Sequence, residues 1–66
     1  MKIQINGENR EINNGCTIED ILKIENIPTK MIAVERNLEI VPKSKYRETF
    51  IQENDKIEIV NFVGGG

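Results

Sequence analysis

The sequence predicts an α+β fold in which one helix packs on one face of a mixed sheet of four or five strands. Three observations predict it. The chain opens and closes with segments that alternate apolar and polar residues, as strands with one buried face do. One stretch, after Thr17, has the apolar spacing of an amphipathic helix. A length of 66 residues leaves room for one small domain.

The first predicted element is a β-hairpin. Residues 2–6 alternate, with isoleucines on one face, and residues 9–13 can return antiparallel to them. Asn6 and Gly7 stand between the two segments. Both central residues of a type I′ turn need a positive φ, which asparagine and glycine tolerate, so these two residues predict the turn.

The predicted helix begins after Thr17, a good N-cap, and Asp20 stands at the capping-box position three residues later. Three apolar residues then share one face at helical spacing: Ile18, Ile21 and Leu22. Pro28 is predicted to end the helix, because the residue before a proline is disfavoured in the α region. We therefore expect two to three turns with one apolar stripe.

Three more strands are predicted at residues 31–35, 38–41 and 56–63, and Asn37 favours a tight turn between the first two. The connection that follows residue 41 is polar, and Tyr46 and Phe50 are predicted to anchor it to the body of the domain. The closing strand needs a partner, and insertion beside the first strand removes a long exposed edge. That arrangement is the β-grasp, or ubiquitin-like, fold.

The composition argues against several classes of protein. The chain has no histidine, which is the commonest acid–base group near neutral pH and the commonest transition-metal ligand, so we expect neither an enzyme nor a metal site. A net charge of −2 does not suit a nucleic-acid binder. The lone Cys16 is expected to be a packing residue in a reducing compartment. No apolar run approaches the length of a membrane span and no signal-peptide pattern is present, so we expect a cytoplasmic protein without a membrane partner.

The closing strand runs directly into three glycines, Gly64, Gly65 and Gly66. We predict a domain over residues 1–63 and a flexible glycine tail over residues 64–66. A carboxylate flanked by residues without a Cβ can enter a narrow channel, since glycine adopts almost any φ/ψ. An activating enzyme could adenylate the Gly66 carboxylate, and sulfur could then convert it to a thiocarboxylate. The alternative is a frayed terminus without chemistry.

The whole chain resembles the sulfur carrier proteins of thiamine biosynthesis, the ThiS family. The segments that carry the resemblance are residues 15–17 before the helix, 33–37, Ile40-Val41-Pro42, 53–59 and the final glycines. The glycine end is common to ubiquitin-like carriers, whereas the length and Ile40-Val41-Pro42 favour the thiazole branch. Gly64 departs from the family pattern, in which a non-glycine residue usually precedes Gly-Gly.

The resemblance implies a cycle in which partner enzymes supply the catalysis. An adenylating enzyme of the ubiquitin-activating type uses ATP and Mg²⁺ to activate Gly66, and a cysteine desulfurase supplies the sulfur. Thiazole synthase then takes that sulfur into the thiazole ring. The resemblance implies no cofactor on the chain itself. It places the reactive carboxylate on Gly66, with Gly64 and Gly65 in the part of the tail that enters the partners' active sites.

The last strand also predicts a surface for partners. Ile57 and Ile59 share the face that should point into the core, so Val60 and Phe62 point to the opposite face. Exposed apolar clusters often mark partner surfaces. Met31 and Ala33 extend this surface if the residues that alternate with them face inward. The alternative is that a bulge or the strand end buries Phe62.

Other functions remain open from the sequence. A sulfur carrier for molybdopterin synthesis has the same glycine end, although such relatives tend to be longer. A ubiquitin-like binding module whose glycines carry no chemistry belongs to a different class. The basic residues Lys43, Lys45 and Arg47 are interpreted as solvated surface, because a charge cluster of this size acts weakly and is screened by salt.

Overall fold

A computed structural model describes residues 1–62 and confirms the predicted α+β fold. The elements are β1 (Lys2–Ile5), β2 (Glu8–Glu11), α1 (Ile18–Ile24), β3 (Ile32–Arg36), β4 (Glu39–Val41), a short 3₁₀ helix (Lys43–Lys45) and β5 (Lys56–Asn61). Among the described residues, no helix combines the length and apolar character that crossing a membrane requires.

The five strands form one sheet in the order β2-β1-β5-β3-β4. β5 pairs parallel to β1, and the other neighbours pair antiparallel. The closing strand is therefore inserted beside the first one, as the prediction required. This mixed sheet with one α-helix on its inner face is the β-grasp fold.

The hairpin turn is built as the sequence predicts. Asn6 has φ 51° and Gly7 has φ 82°, and the register places Ile5 opposite Glu8. A two-residue turn with both φ angles positive matches the right-handed twist of the strands that it joins. β1 is consequently only four residues long before the chain turns away from β5.

The start of α1 is as predicted and its end is not. The Thr17 hydroxyl accepts from the Asp20 N–H at 3.2 Å, and the Asp20 carboxylate accepts from the Thr17 N–H at 3.0 Å. The helix then ends at Ile24, four residues before Pro28, so the prediction that Pro28 ends it is wrong.

Asn26 ends the helix instead. It has φ 62° and donates its N–H to the Lys23 carbonyl at 3.1 Å, and the Ile27 N–H donates to the Leu22 carbonyl at 2.8 Å. These two bonds are a Schellman motif, in which a left-handed residue satisfies the last carbonyls of a helix. Pro28 lies beyond the end of the helix, where the last carbonyls already accept hydrogen bonds.

The core lies between α1 and one face of the sheet. Its members are almost all aliphatic: Ile3, Ile5, Ile18, Ile21, Leu22, Ile32, Val34, Val41, Tyr46, Ile51 and Ile57. Cys16 is also buried, as expected of a packing residue. Tyr46 anchors the polar connection as predicted, but Phe50 is 54% exposed, so its predicted role as an anchor is wrong.

Ile51 takes the place of Phe50 in the core. Its N–H donates to the Cys16 carbonyl at 2.8 Å, and its side chain is 3% exposed. Phe50 forms an isolated β-bridge with Thr17. Because neighbouring residues of an extended segment point to opposite sides, burial of Ile51 directs Phe50 outward.

Candidate functional site

β5 leads toward the glycines, and its first half is held on both sides. Ile57 lies beside Ile5 in the parallel pairing with β1 and opposite Arg36 in the antiparallel pairing with β3. Its side chain is 1% exposed. This half of the strand is therefore fixed by two neighbouring strands and by the core.

A buried carboxylate lies immediately before β5. Asp55 Oδ2 accepts from Arg36 Nε at 2.7 Å and from the Gln52 N–H at 2.8 Å, and Oδ1 accepts from Asn37 Nδ2 at 2.9 Å. Burial of the carboxyl raises its pKa, but the bonds from Arg36, Gln52 and Asn37 and the charge of Arg36 lower it, and the net pKa of Asp55 lies below its ordinary value. Asp55 is thus a charged structural link, fully used by partners within the domain.

Asn37, in the turn between β3 and β4, bonds to the backbone at the start of β5. Its N–H donates to the Lys56 carbonyl at 2.8 Å, and its Oδ1 accepts from the Lys56 N–H at 2.9 Å. Its φ is 52°, in the left-handed region expected from the sequence. The first residues of β5 are therefore fixed by side chains as well as by the sheet.

The second half of β5 has fewer neighbours. β1 turns away after Ile5, and the side chain of Asn6 bonds to β5 in place of a further β1 residue. Its Oδ1 accepts from the Ile59 N–H at 2.7 Å, and its Nδ2 donates to the Ile59 carbonyl at 3.3 Å. Beyond Ile59 the strand pairs with the β3 side only, up to the bond from the Phe62 N–H to the Met31 carbonyl at 2.7 Å.

The residues predicted to form a partner surface are exposed. Val60 is 51% exposed, Phe62 49% and Met31 55%, and Ala33, which pairs with Val60, is half-buried. Phe62 is thus not buried by a bulge or by the strand end. We call Met31, Ala33, Val60 and Phe62 the apolar patch. It lies on the outer face of the sheet, opposite the helix.

The other half of the outer face is polar. Lys2 of β1 is the register partner of Glu11 of β2, and Gln4 lies between Asn9 of β2 and Lys56 of β5. A shallow hollow of about 430 Å³ opens among these residues. The apolar side chains of the outer face are therefore concentrated on β5, β3 and β4.

Sequence reasoning missed one pair of residues on the outer face. Glu35 of β3 and Glu58 of β5 are direct register partners. The alternation of the two strands predicts that each glutamate faces away from the core, but only the register brings them together. No sequence signal near either residue specifies that register.

The predicted reactive residues lie outside the described part of the chain. This holds for Gly64, Gly65 and Gly66 and for the predicted boundary at residue 63, which stay predictions. Within residues 1–62, no group of three histidine, cysteine, aspartate or glutamate side chains is placed to hold a metal ion.

Comparisons with known proteins point to one family. The model of the ThiS family matches residues 3–66. The sulfur carrier protein ThiS of Bacillus subtilis is 42% identical over 65 residues, which cover 97% of this chain and 98% of that protein. A crystal structure of the thiamine biosynthesis protein ThiS from Geobacter metallireducens has a TM-score of 0.84 and 22% identity over the full length of both chains, and it supports the fold.

Two longer proteins also match the whole chain. The thiazole synthases of Paramagnetospirillum magneticum and Magnetococcus marinus are 48% and 41% identical over 66 residues. This chain spans only about 20% of the length of each of them. In these relatives the matching region is thus joined to a much longer remainder.

Proposed function

Since the chain belongs to the ThiS family, we propose that it is a sulfur carrier for thiazole formation in thiamine biosynthesis, and that the carboxylate of Gly66 is the group that carries the sulfur. One observation carries the proposal. The similarity to the Bacillus sulfur carrier spans nearly all of both chains, and the family model extends to residue 66.

The proposed chemistry has two steps, and partner enzymes catalyse both. A carboxylate oxygen of Gly66 attacks the α-phosphorus of ATP, which is bound with Mg²⁺ by an adenylating enzyme of the ubiquitin-activating type, and diphosphate leaves. Where a cysteine desulfurase supplies the sulfur as a persulfide, a thiol reductant first releases it as sulfide. Sulfide then attacks the carbonyl carbon. The bond between that carbon and the AMP oxygen breaks, and Gly66 is left as a thiocarboxylate.

The chain itself supplies position and recognition in this proposal and is not an enzyme. The first half of β5 is fixed by Asp55 and the core, so the domain holds the strand that precedes the glycines in sequence. Gly64 and Gly65 are the residues proposed to enter the partners' active sites, where a side chain would obstruct a narrow channel. Val60 and Phe62 lie next to that tail in sequence, and their exposure supports a role as the partner-facing surface.

Thiazole synthase is the proposed acceptor of the sulfur. Two thiazole synthases match this chain along its whole length, which supports thiazole over other sulfur acceptors. The adenylating enzyme and the desulfurase enter the proposal through the chemistry, because a free carboxylate is a poor electrophile and must be activated before sulfur can displace its oxygen.

Intact-mass spectrometry tests the proposal directly. The chain is incubated with the adenylating enzyme of its own organism, ATP, Mg²⁺ and sulfide. We expect its mass to rise by the difference between sulfur and oxygen. If the same enzyme loads the Bacillus relative and leaves this chain unchanged, the proposal is wrong.

Shortening the tail locates the reactive group. Removal of one glycine leaves a chain that still ends in Gly-Gly, and we expect it to gain the sulfur mass. Removal of two leaves Gly64 alone after Val63, and we expect no gain. Both variants should keep the wild-type melting curve by circular dichroism. Equal loading of both variants would show that the glycine pair is not needed for the reaction.

A further inference from the structure

Two asparagines of the chain are followed by glycine, and the fold holds them differently. Asn6-Gly7 forms the turn between β1 and β2, and Asn14-Gly15 lies in the loop between β2 and α1. The amide of an asparagine before a glycine is open to attack by the next backbone nitrogen, because glycine has no side chain to obstruct the approach. The same reaction is therefore available in principle at two sites.

The amide of Asn6 is bound through both of its polar atoms. Its Oδ1 accepts from the Ile59 N–H at 2.7 Å, and its Nδ2 donates to the Ile59 carbonyl at 3.3 Å. The Asn6 backbone N–H also donates to the Ile57 carbonyl at 2.8 Å. Attack on Cγ requires the amide to rotate toward the nitrogen of Gly7, and this rotation breaks both side-chain bonds. A local opening of the structure must therefore come first.

Asn14 is not held in this way within residues 1–62. Its exposed side chain forms no hydrogen bond in this part of the chain, and the Gly15 N–H donates none there. A Cβ built on Gly15 would meet nothing within 4 Å. The amide and the attacking nitrogen can therefore approach each other without breaking a hydrogen bond that this part of the chain provides.

We propose that Asn14 is a site of spontaneous modification, at which the folded chain loses ammonia and acquires an isoaspartate, whereas the fold protects Asn6. The Gly15 nitrogen loses its proton and attacks Cγ of Asn14. The bond from Cγ to Nδ2 breaks, and the amide nitrogen takes up a proton and leaves as ammonia. Water then opens the resulting succinimide at either carbonyl carbon, which gives aspartate or isoaspartate. One water is consumed for each ammonia released, and nothing is oxidised or reduced.

The modification changes the charge of this loop and, in isoaspartate, its backbone. A neutral amide becomes a carboxylate, so the formal net charge of −2 becomes more negative by one unit. In isoaspartate the main chain runs through Cγ and is longer by one carbon. The loop lies where β1 begins, since the Ile12 N–H donates to the Met1 carbonyl at 2.9 Å, and the parallel β5 ends at the opposite end of the sheet. The modified residue is thus remote from the strand end that precedes the glycines, and its reaction is independent of the proposed carrier function.

Ageing of the full chain in the folded and in the denatured state tests the proposal. One sample is incubated in mildly alkaline buffer, and another in the same buffer with concentrated guanidinium chloride. Trypsin then cuts after Lys2, Arg10 and Lys23, so the two asparagine–glycine pairs fall in separate peptides. Mass spectrometry follows the replacement of NH by O in each peptide, and a carboxyl methyltransferase specific for isoaspartate, with a labelled methyl donor, measures the isoaspartate. A chain digested without ageing gives the background.

The two peptides should behave differently only in the folded state. In the folded chain we expect Asn14 to convert and Asn6 to convert at least about tenfold more slowly, since two hydrogen bonds must open first. In the denatured chain these bonds are absent, and the two peptides should convert at similar rates. Both rates should rise with pH, because the attacking nitrogen must lose its proton.

Asn14→Gln is the matched control. It keeps an amide, but attack on the longer side chain forms a larger ring, which closes more slowly. The same peptide contains Asn13, so conversion that persists in this variant would assign the reaction to Asn13 and overturn the proposal.

Two results in the wild type would also overturn the proposal. Equal conversion of Asn6 and Asn14 in the folded chain would show that the bonds to Ile59 do not protect the turn. Conversion of both in the denatured chain, with neither converting in the folded chain, would show that the fold protects the loop as well.

Discussion

The two halves of β5 differ in almost every respect although they belong to one strand of six residues. The first half has a strand on each side, a buried carboxylate before it and Ile57 in the core. Beyond Ile59 the second half pairs with the β3 side alone, and Val60 and Phe62, the residue after the strand, are exposed. One half thus holds the fold together, and the other presents a surface next to the glycines.

The change from one half to the other occurs at Asn6. The backbone N–H of Asn6 donates to the Ile57 carbonyl at 2.8 Å, and its side chain then bonds to both backbone groups of Ile59. The early hairpin turn removes β1 as a neighbour, and the asparagine amide satisfies the last strand groups that the turn would leave unpaired. A short first strand thus leaves one end of a central strand exposed.

The largest expected difference between the halves is in packing. Ile57→Ala should lower the free energy of unfolding by about 3–4 kcal/mol, because it opens a cavity in the core. A domain of this size has only ~3–5 kcal/mol in total, so the variant should be largely unfolded. Val60→Ala should cost less than about 1 kcal/mol, since its side chain is already half exposed. Urea denaturation of both variants measures the two losses.

If Ile57→Ala and Val60→Ala lost equal amounts of unfolding free energy, the proposed difference between the two halves of β5 would be wrong. Such a result would mean that Val60 is covered in the free domain and is unavailable to a partner. A larger loss at Val60 than at Ile57 would reverse the roles of the two halves.

The next largest expected effect is the loss of the charged hydrogen bonds of Asp55, which lies immediately before the first half of β5. Asp55→Asn should cost about 2 kcal/mol at neutral pH, because the charged acceptor of Arg36 and Gln52 is lost. The pKa of Asp55 is lowered in the folded state, so its contribution is complete above the unfolded pKa of about 3.9. That contribution is lost as the pH falls through the lower folded pKa.

Chemical denaturation across pH checks this sign. The difference in stability between the wild type and Asp55→Asn should be constant from about pH 6 to 8 and should shrink below about pH 4. Glu48→Gln is the control, because Glu48 is exposed and its 3.7 Å pair with Lys45 lies on the surface. A difference that grows on acidification would show that Asp55 is not held in its charged form.

The features that the sequence predicted depend on neighbours in the chain. The Asn6-Gly7 turn, the Thr17–Asp20 capping box and the outward direction of Val60 and Phe62 all follow from local conformational preference or from alternation. Asn26 also carried a local signal, since asparagine is common in the left-handed position after a helix. Pro28 is a second local signal for a helix end, and it lies farther along the chain than the observed end at Ile24.

The features that the sequence did not predict depend on register and packing. Asp55 meets Arg36 across 19 residues, and Glu35 meets Glu58 only because β3 and β5 pair at that register. Phe50 and Ile51 are both apolar, and the alternation cannot say which of them points inward until the β-bridge to Thr17 is formed. Side chains that act together from distant segments become visible only in the fold.

The smallest expected effect on stability is at the end of the second half, where the effect on recognition should be large. Phe62→Asp removes a half-exposed ring from the apolar patch, and we expect the melting temperature to fall by no more than a few degrees. A carboxylate placed there faces the apolar part of the proposed partner surface, where an unpaired charge is costly to bury. The KM for the chain in adenylation should therefore rise at least about tenfold.

Phe50→Asp is the matched control. Phe50 is 54% exposed and lies beside Thr17, away from the patch. The KM of this variant should therefore stay close to that of the wild type. If Phe62→Asp instead unfolds the domain while its KM in the folded fraction is unchanged, the second half of β5 supports the fold as the first half does, and the contrast between them fails.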